Sequence, residues 1–300
     1  MVKTLIFYIK MVLVFILIID CSQSNRPFVE EVDNLKVDTL APFYHGVASG
    51  DPLEDKVIIW TRVTPENHEN EISVNWQISK FSDFRKVFKN GMFLTDADRD
   101  YTVKVDVEGL EPGTSYFYRF ESYGKKSITG RTKTINSLSE SLRFAIVSCS
   151  DYQRGYFNSY SSISDEENLD AVIHLGDYIY EYKSRDYSNG IFDRLHLPDK
   201  ELITLGDYRT RHSQYKLDID LIEAHRNHPF ILIWDDHETS NNTYKGGAEN
   251  HQESEEGDFD ERISAALKAY YEWQPIRENS KPYRNFRFGE IADIIILEER

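Results

Sequence analysis

Phe230-Ile231-Leu232-Ile233-Trp234-Asp235-Asp236-His237-Glu238 is an apolar run that ends in four consecutive ionisable side chains. A short apolar run without alternation fits a strand buried on both faces, as in the parallel sheet of an α/β layer. Four ionisable groups at its carboxyl end are costly unless they bind something or meet water. Two earlier stretches repeat the arrangement. Residues 142–147 precede Ser148-Cys149-Ser150, and residues 169–175 precede Gly176-Asp177-Tyr178-Ile179-Tyr180. Open α/β sheets place their ligands outside the carboxyl ends of the strands. A thiol, carboxylates, a phenol and an imidazole are therefore expected to converge at one end of one sheet.

Working outward, residues 156–163 read as a helix between the first two of these strands, completing a βαβ unit. Residues 201–228 read as mainly helical up to Pro229. Asp260 is expected to cap a further helix with apolar positions Ile263, Ala266, Leu267, Tyr270 and Tyr271, ended by Pro275. A fourth strand is expected over 291–297. An α/β layer fold normally has more strands and covering helices than these. The expectation is a fragment, or a short version, of a larger enzyme.

A Ser-rich hinge over 135–141 separates this half from a different pattern upstream. Short strands are predicted over 57–63, 72–78, 101–107, 115–122 and 127–132, with Asn, Asp, Gly and Pro between them, which argues an antiparallel sandwich spanning 44–134. Within it, Leu110-x-Pro112-x-Thr114-x-Tyr116 resembles the corner of immunoglobulin-like and fibronectin type III sandwiches, in which the Tyr hydroxyl bonds back to nearby backbone. Residues 22–43 read as a polar spacer.

The chain has 300 residues with 51 Asp and Glu against 35 Lys and Arg, a net charge of −16 that disfavours duplex nucleic acid as a partner. A small phosphorylated substrate stays compatible if a cation supplies positive charge locally. Lys3 and Lys10 followed by an apolar run over 11–19 fit a signal peptide over 1–21, and hence export to a periplasmic or cell-surface location. Ile18-Ile19-Asp20-Cys21-Ser22 resembles a lipoprotein processing site in which Cys21 is lipidated and tethers the chain to a membrane; ordinary cleavage and an uncleaved anchor are the alternatives. Cys149 is the one other cysteine. A lone thiol in an oxidising compartment is explained by a metal bond, or else by burial as an inert small hydrophobe.

Carboxylates suit cation bridging, and a phenolate suits a ferric ion, because hard oxygen ligands match hard metals. On that basis Asp177, Tyr180 and Asp236 are candidate ligands, Asn241 a further oxygen donor, and His237 an acid or phosphate-contacting group. The competing reading of Gly-Asp-Tyr-Ile-Tyr is a helix cap with two packed tyrosines. Arg154, Arg209 and Arg211 are cations without an assigned role, with salt bridging the default for Arg209 and Arg211.

His45-Gly46-Val47-Ala48-Ser49-Gly50-Asp51-Pro52 with Ile59-Trp60-Thr61-Arg62, then the three motifs above and Asp207-Tyr208-Arg209, together resemble a PhoD-like alkaline phosphatase or phosphodiesterase across nearly the whole chain. The resemblance implies an immunoglobulin-like N-terminal domain over 44–134 and a calcineurin-like metallophosphoesterase α/β domain over 142–300, incomplete at its C-terminal end. It implies iron (Fe3+) held by Cys149, Asp177 and Tyr180, with Asp177 bridging to calcium and Asp236 and Asn241 on the calcium side; zinc or another divalent cation is an alternative. His237 would lie beside the scissile phosphate. The reaction so implied is in-line attack of a metal-bound hydroxide on a phosphomonoester or an envelope phosphodiester. The family's later metal-binding histidine segments are expected to follow residues 297–300. A binding or assembly module with a dead α/β part is the alternative function.

Overall fold

A computed structural model describes residues 31–67, 69–187, 189–191, 193–278 and 283–297. The signal segment, Cys21 and residues 22–30 lie outside them. The strands are β1 (Val47–Gly50), β2 (Lys56–Arg62), β3 (Glu71–Ser79), β4 (Val87–Asp96), β5 (Thr102–Glu108), β6 (Ser115–Ser122), β7 (Lys125–Lys126), β8 (Gly130–Lys133), β9 (Phe144–Val147), β10 (Ala171–His174), β11 (Pro229–Leu232), β12 (Tyr283–Phe288) and β13 (Ala292–Leu297). The helices are α1 (Asn158–Ser164), α2 (Leu205–Tyr215), α3 (Ile219–Asn227), α4 (Glu253–Glu256) and α5 (Phe259–Trp273).

The expected separation into a sandwich and an α/β layer is only part of what forms. One six-stranded sheet runs β5-β2-β1-β11-β10-β9 through both halves. Its seam is β1, antiparallel to β2 and parallel to β11, with Ser49 opposite Pro229 and Gly50 opposite Phe230. β9, β10 and β11 are parallel neighbours. β10 and β11 are buried throughout, as their unbroken apolar sequences lead one to expect, whereas β9 lies at the sheet edge, half-buried and with Ile146 exposed. The second sheet of the N-terminal half, β4-β3-β6-β7 with β8 on β6, faces the first across a core that includes Val57, Ile59, Val74, Val103 and Tyr118. The Tyr116 hydroxyl accepts the backbone N–H of Glu111 at 2.9 Å, the corner bond expected from its spacing. In the segment read as a spacer, short 3-10 turns at Val32–Leu35 and Asp38–Leu40 lead to Phe43, which is buried in that core.

Alternation along β10 and β11 sorts the two faces of the parallel part. Val172, Phe230 and Leu232 pack under the helices with Tyr160, Tyr208 and Leu221. Ala171, Ile173 and Ile231 pack against Phe286, Phe288 and Ile296 of the β12–β13 hairpin. The strand expected over 291–297 therefore forms, but it pairs with β12 and covers the sheet rather than extending it.

Other boundaries differ for local reasons. The helical stretch before Pro229 breaks into α2 and α3, because Asp218 caps a new helix by accepting from the N–H groups of Asp220 and Leu221. Pro229 begins β11. The cap of α5 is Asp258, not Asp260, since Asp258 accepts from the N–H groups of Asp260 and Glu261. The unexpected β4 alternates half-buried and exposed residues and contains Asn90-Gly91, a pair that reads as a turn. Gly91 instead sits opposite Trp76 on β3, whose indole occupies the space that a side chain would take: a Cβ there would lie 2.8 Å from the ring.

Candidate metal centre

All three motif loops leave the carboxyl ends of adjacent parallel strands and are stitched together. The N–H groups of Cys149 and Ser150 donate to the carbonyls of Gly176 (3.2 Å) and Asp177 (2.9 Å), joining the β9 and β10 loops. The wholly buried carboxylate of Glu238 joins the β10 and β11 loops by accepting N–H groups from Asp177 (3.1 Å), Tyr178 (2.6 Å) and Asp235 (2.8 Å). Cys149 and Asp177 both adopt left-handed φ, +56° and +54°, which non-glycine residues rarely take and which tends to mark functional sites. Gly176 between the loops has φ +106°, and a Cβ on it would lie 2.6 Å from the Asp235 backbone nitrogen.

Asp177 is the meeting point. Its Oδ2 accepts from Cys149 Sγ at 3.4 Å and from the Tyr180 hydroxyl at 3.2 Å, while its buried Oδ1 has no hydrogen-bond partner. Ligand atoms of Asp177, Asp236 and His237 lie within 4.8 Å of one another, and all three side chains are buried. Burial pushes the Asp177 carboxyl up, and the neighbouring Asp236 adds to this against the pull of His237. Partial burial and then the charge of Asp177 push the Cys149 thiol up as well. Burial and Asp177 likewise hold the Tyr180 hydroxyl protonated. A cation reverses all three tendencies at once, so a carboxylate with a thiol and a phenol on one oxygen, an orphaned second oxygen and another carboxylate beside it fits a metal.

The imidazole of His237 is fixed from behind. Its Nδ1 lies 2.7 Å from Glu181 Oε2, leaving Nε2 as the second ring nitrogen, and its ring lies against Tyr180 at 4.3 Å between centroids. Burial alone would lower its pKa, but the hydrogen bond and charge of Glu181, helped by Asp177 and Asp236, raise it to about 8. Glu181 also accepts from the Asn241 N–H (2.8 Å) and from Asn250 Nδ2 (3.0 Å). The Asn241 side chain points its amide toward Glu249 at 3.5 Å, and it is the Asn242 N–H that reaches Asp236 Oδ2 at 2.5 Å. Of the candidates, Cys149, Asp177, Tyr180, Asp236 and His237 are brought together, while Asn241 contributes through its backbone.

Cys149 is exposed, which removes the reading of an inert buried thiol. Asp177 caps no helix. Tyr178 packs in the core with its hydroxyl on His225 (2.9 Å) and Lys216 (3.1 Å), so only Tyr180 of that pair turns to the site. Arg209 is paired with Glu272 by two contacts of 2.7 Å. Arg211 is buried and donates to the carbonyls of Tyr180, Tyr182, Leu197 and Pro198, holding the segment that carries Tyr180 and Glu181. Arg211, expected like Arg209 to be salt-bridged, instead directs its guanidinium to backbone carbonyls. Glu181 was not singled out from sequence, and Glu238 stood there only as the last residue of the β11 motif. Each acts through backbone or through another side chain.

A family model described as PhoD-like phosphatase matches residues 144–300, and one described as PhoD-like phosphatase, N-terminal domain, matches residues 33–136. The chain belongs to the PhoD-like phosphatase family. Alkaline phosphatase D of Bacillus subtilis (strain 168) is 38% identical over 275 residues, covering 86% of this chain and 47% of that protein. A solved structure titled "Structure of PhoD" superposes with a TM-score of 0.79 at 39% identity, covering 86% of this chain and 52% of the other. This PhoD-like chain thus spans about half the length of the relatives it matches. All three motif loops lie inside the matched phosphatase region.

Proposed function

We propose that the chain is a metal-dependent phosphoric ester hydrolase whose cations sit at the carboxyl ends of β9, β10 and β11. The observation that carries this is Asp177, with Cys149 and Tyr180 on one oxygen and a buried, unpartnered second oxygen. Cys149, Asp177 and Tyr180 would hold a ferric ion; Asp177 and Asp236, with Asn241 nearby, would hold calcium. When bound, such cations supply water activation and charge neutralisation at the phosphoryl oxygens. His237, held through Nδ1 by Glu181, presents Nε2 as the group that carries a proton to the leaving oxygen. Tyr180 and Tyr182 pack beside the imidazole, with ring centroids 4.3 Å and 5.4 Å away.

The finer readings belong to the same proposal: an immunoglobulin-like sandwich, supported by the Tyr116 corner bond, beside a calcineurin-like α/β layer. So do export, with tethering through Cys21, and a phosphorylated small molecule or envelope phosphodiester as substrate. The family match and the assembled donor set do not favour a dead binding module. The test is hydrolysis of 4-nitrophenyl phosphate and bis(4-nitrophenyl) phosphate by chain reconstituted with iron and calcium. Turnover abolished by chelation and by Asp177→Asn is expected; undiminished turnover in both would overturn the reading.

A further inference from the structure

Cys149 opens onto a surface cleft of about 460 Å³ that is also lined by Ser148, Asp151, Arg154, Tyr156 and Phe157. Arg154 is the one cation among the described residues lining it. Its guanidinium carbon stands 4.3 Å from the centroid of the Tyr187 ring. Tyr187 in turn stacks on Tyr182 at 4.9 Å and 10° and on Tyr180 at 6.1 Å and 19°, and its ring lies 6.2 Å from that of His237. Two independent routes, the cleft wall and the aromatic stack, therefore connect Arg154 to the metal-centre residues.

The arginine is placed but not consumed. Its Nε is 3.3 Å from Asp151 Oδ2, yet that oxygen has no aligned hydrogen bond, so the pair is held by charge alone. The Arg154 side chain is 52% exposed while that of Asp151 is 5% exposed, which turns the guanidinium outward. Among the described residues no acceptor takes its terminal amino groups. Stacking on Tyr187 restricts the side chain in advance, which reduces the entropy lost when an anion is gripped. A planar guanidinium with free N–H groups is the side chain best matched to two phosphoryl oxygens.

Resting on the phosphoester reading above, we propose that Arg154 and Tyr187 form the outer part of the substrate site. Arg154 takes the phosphoryl oxygens that face away from Asp177 and Asp236, and the half-exposed Tyr187 ring supports the ester group. One added positive charge counts more for the doubly charged monoester than for the singly charged diester. The substrate class so favoured is the phosphomonoester dianion. Arg154 touches substrate equally in ground and transition states, so its loss falls on KM rather than kcat.

The test uses the full chain loaded with iron and calcium, with inorganic phosphate binding followed by calorimetry and hydrolysis of 4-nitrophenyl phosphate and bis(4-nitrophenyl) phosphate. Arg154→Ala is expected to weaken phosphate binding and raise the monoester KM by about tenfold, with a smaller rise for the diester and kcat within about twofold. Arg154→Lys should fall between, with metal content unchanged in both. Arg85→Ala removes an exposed arginine of the sandwich, paired with Asp83, and controls for net charge. Phosphate binding by Arg154→Ala equal to wild type, or an equal loss in Arg85→Ala, overturns the inference and leaves the phosphoester reading standing. Absence of both phosphate binding and hydrolysis in the metal-loaded wild type overturns that reading, and this inference with it.

Discussion

Glu181 Oε2 lies 2.7 Å from Nδ1 of His237, and the carboxylate is wholly buried behind the ring. This pair sets the proton affinity of the imidazole, raised to about 8 against the lowering effect of burial. Glu181→Gln keeps the shape and removes the charge. The His237 pKa is then expected to fall from about 8, because the charge of Glu181 is gone while burial still lowers it and only the Asp177 and Asp236 charges still raise it. Nuclear magnetic resonance titration of the metal-free protein reads it directly. The linked stability has a definite sign: a raised histidine stabilises below pH 6.5, and the contribution is lost as pH rises through about 8. Glu181→Gln should flatten that window, and an unchanged titration would show that Glu181 is not the cause.

The sheet that passes through β1 predicts cooperative unfolding. Trp60 of β2 is fully buried against Trp273 of α5, and its indole N–H donates to the Glu272 carbonyl at 2.8 Å, so the N-terminal half is bolted to a helix of the other. Removing the indole leaves a cavity, and Trp60→Ala is expected to cost about 3–5 kcal/mol. Denaturation followed by tryptophan fluorescence and by far-ultraviolet dichroism should give one coincident transition in the wild type. Two separated transitions would mean that the halves are independent after all.

Much of this arrangement was legible in the sequence where hydrophobic pattern alone decides. The apolar runs before Cys149, Asp177 and Asp235 read as strands, and their order along the chain sufficed to put the motif loops at one sheet end, although burial holds only for β10 and β11 and β9 lies half-buried at the sheet edge. β4 was missed because Asn90-Gly91 signals a turn locally, while the reason for Gly91 is Trp76 on another strand. β1 was missed because Val47–Gly50 gains its structure from Phe230 and Ile59, residues distant in sequence. Glu181 was hidden for the same reason, and Glu238 was visible as the last residue of its motif but not in its role: a carboxylate that serves buried N–H groups looks in sequence like any other acid.

Glu238 offers a check on that hidden layer. Its two oxygens serve three backbone N–H groups, so Glu238→Gln turns an amide NH2 toward at least one donor and is expected to cost about 1–3 kcal/mol in stability. Metal affinity should fall by about 10–100-fold, the usual effect of losing an outer support. Denaturant titration and competitive metal titration measure the two, and loss of stability without loss of affinity would confine Glu238 to a folding role.

Acid should weaken the fold through buried histidines. Burial lowers His174 and His212 to about 3 and His196 to about 4. Below the free-imidazole value of 6.5 the unfolded chain therefore binds protons that the folded chain refuses. Stability falls as pH is lowered through that window, by up to about 1.4 kcal/mol per pH unit for each histidine. Both ring nitrogens of His212 lack partners, so His212→Leu is expected to remove one proton from the slope without unpairing another group. Denaturant unfolding across the window measures the slope, and an unchanged slope in His212→Leu would assign the acid sensitivity to the carboxylates instead.

Asp177 separates the demands of folding from those of metal binding. In the metal-free protein it is a buried carboxylate with one unpartnered oxygen, a left-handed backbone and a second acid, Asp236, close by. Asp177→Asn can still accept from Cys149 and Tyr180 through its amide oxygen while removing the charge. The metal-free variant is therefore expected to be as stable as the wild type, or more stable by about 1 kcal/mol, the common result of relieving a functional site. Added iron and calcium should raise the melting temperature of the wild type, because a ligand that binds only the folded state stabilises it. The same ions should leave Asp177→Asn almost unmoved. A variant that is markedly destabilised without metal, yet keeps the full metal-induced shift, would mean that Asp177 supports the fold and that the cations bind elsewhere.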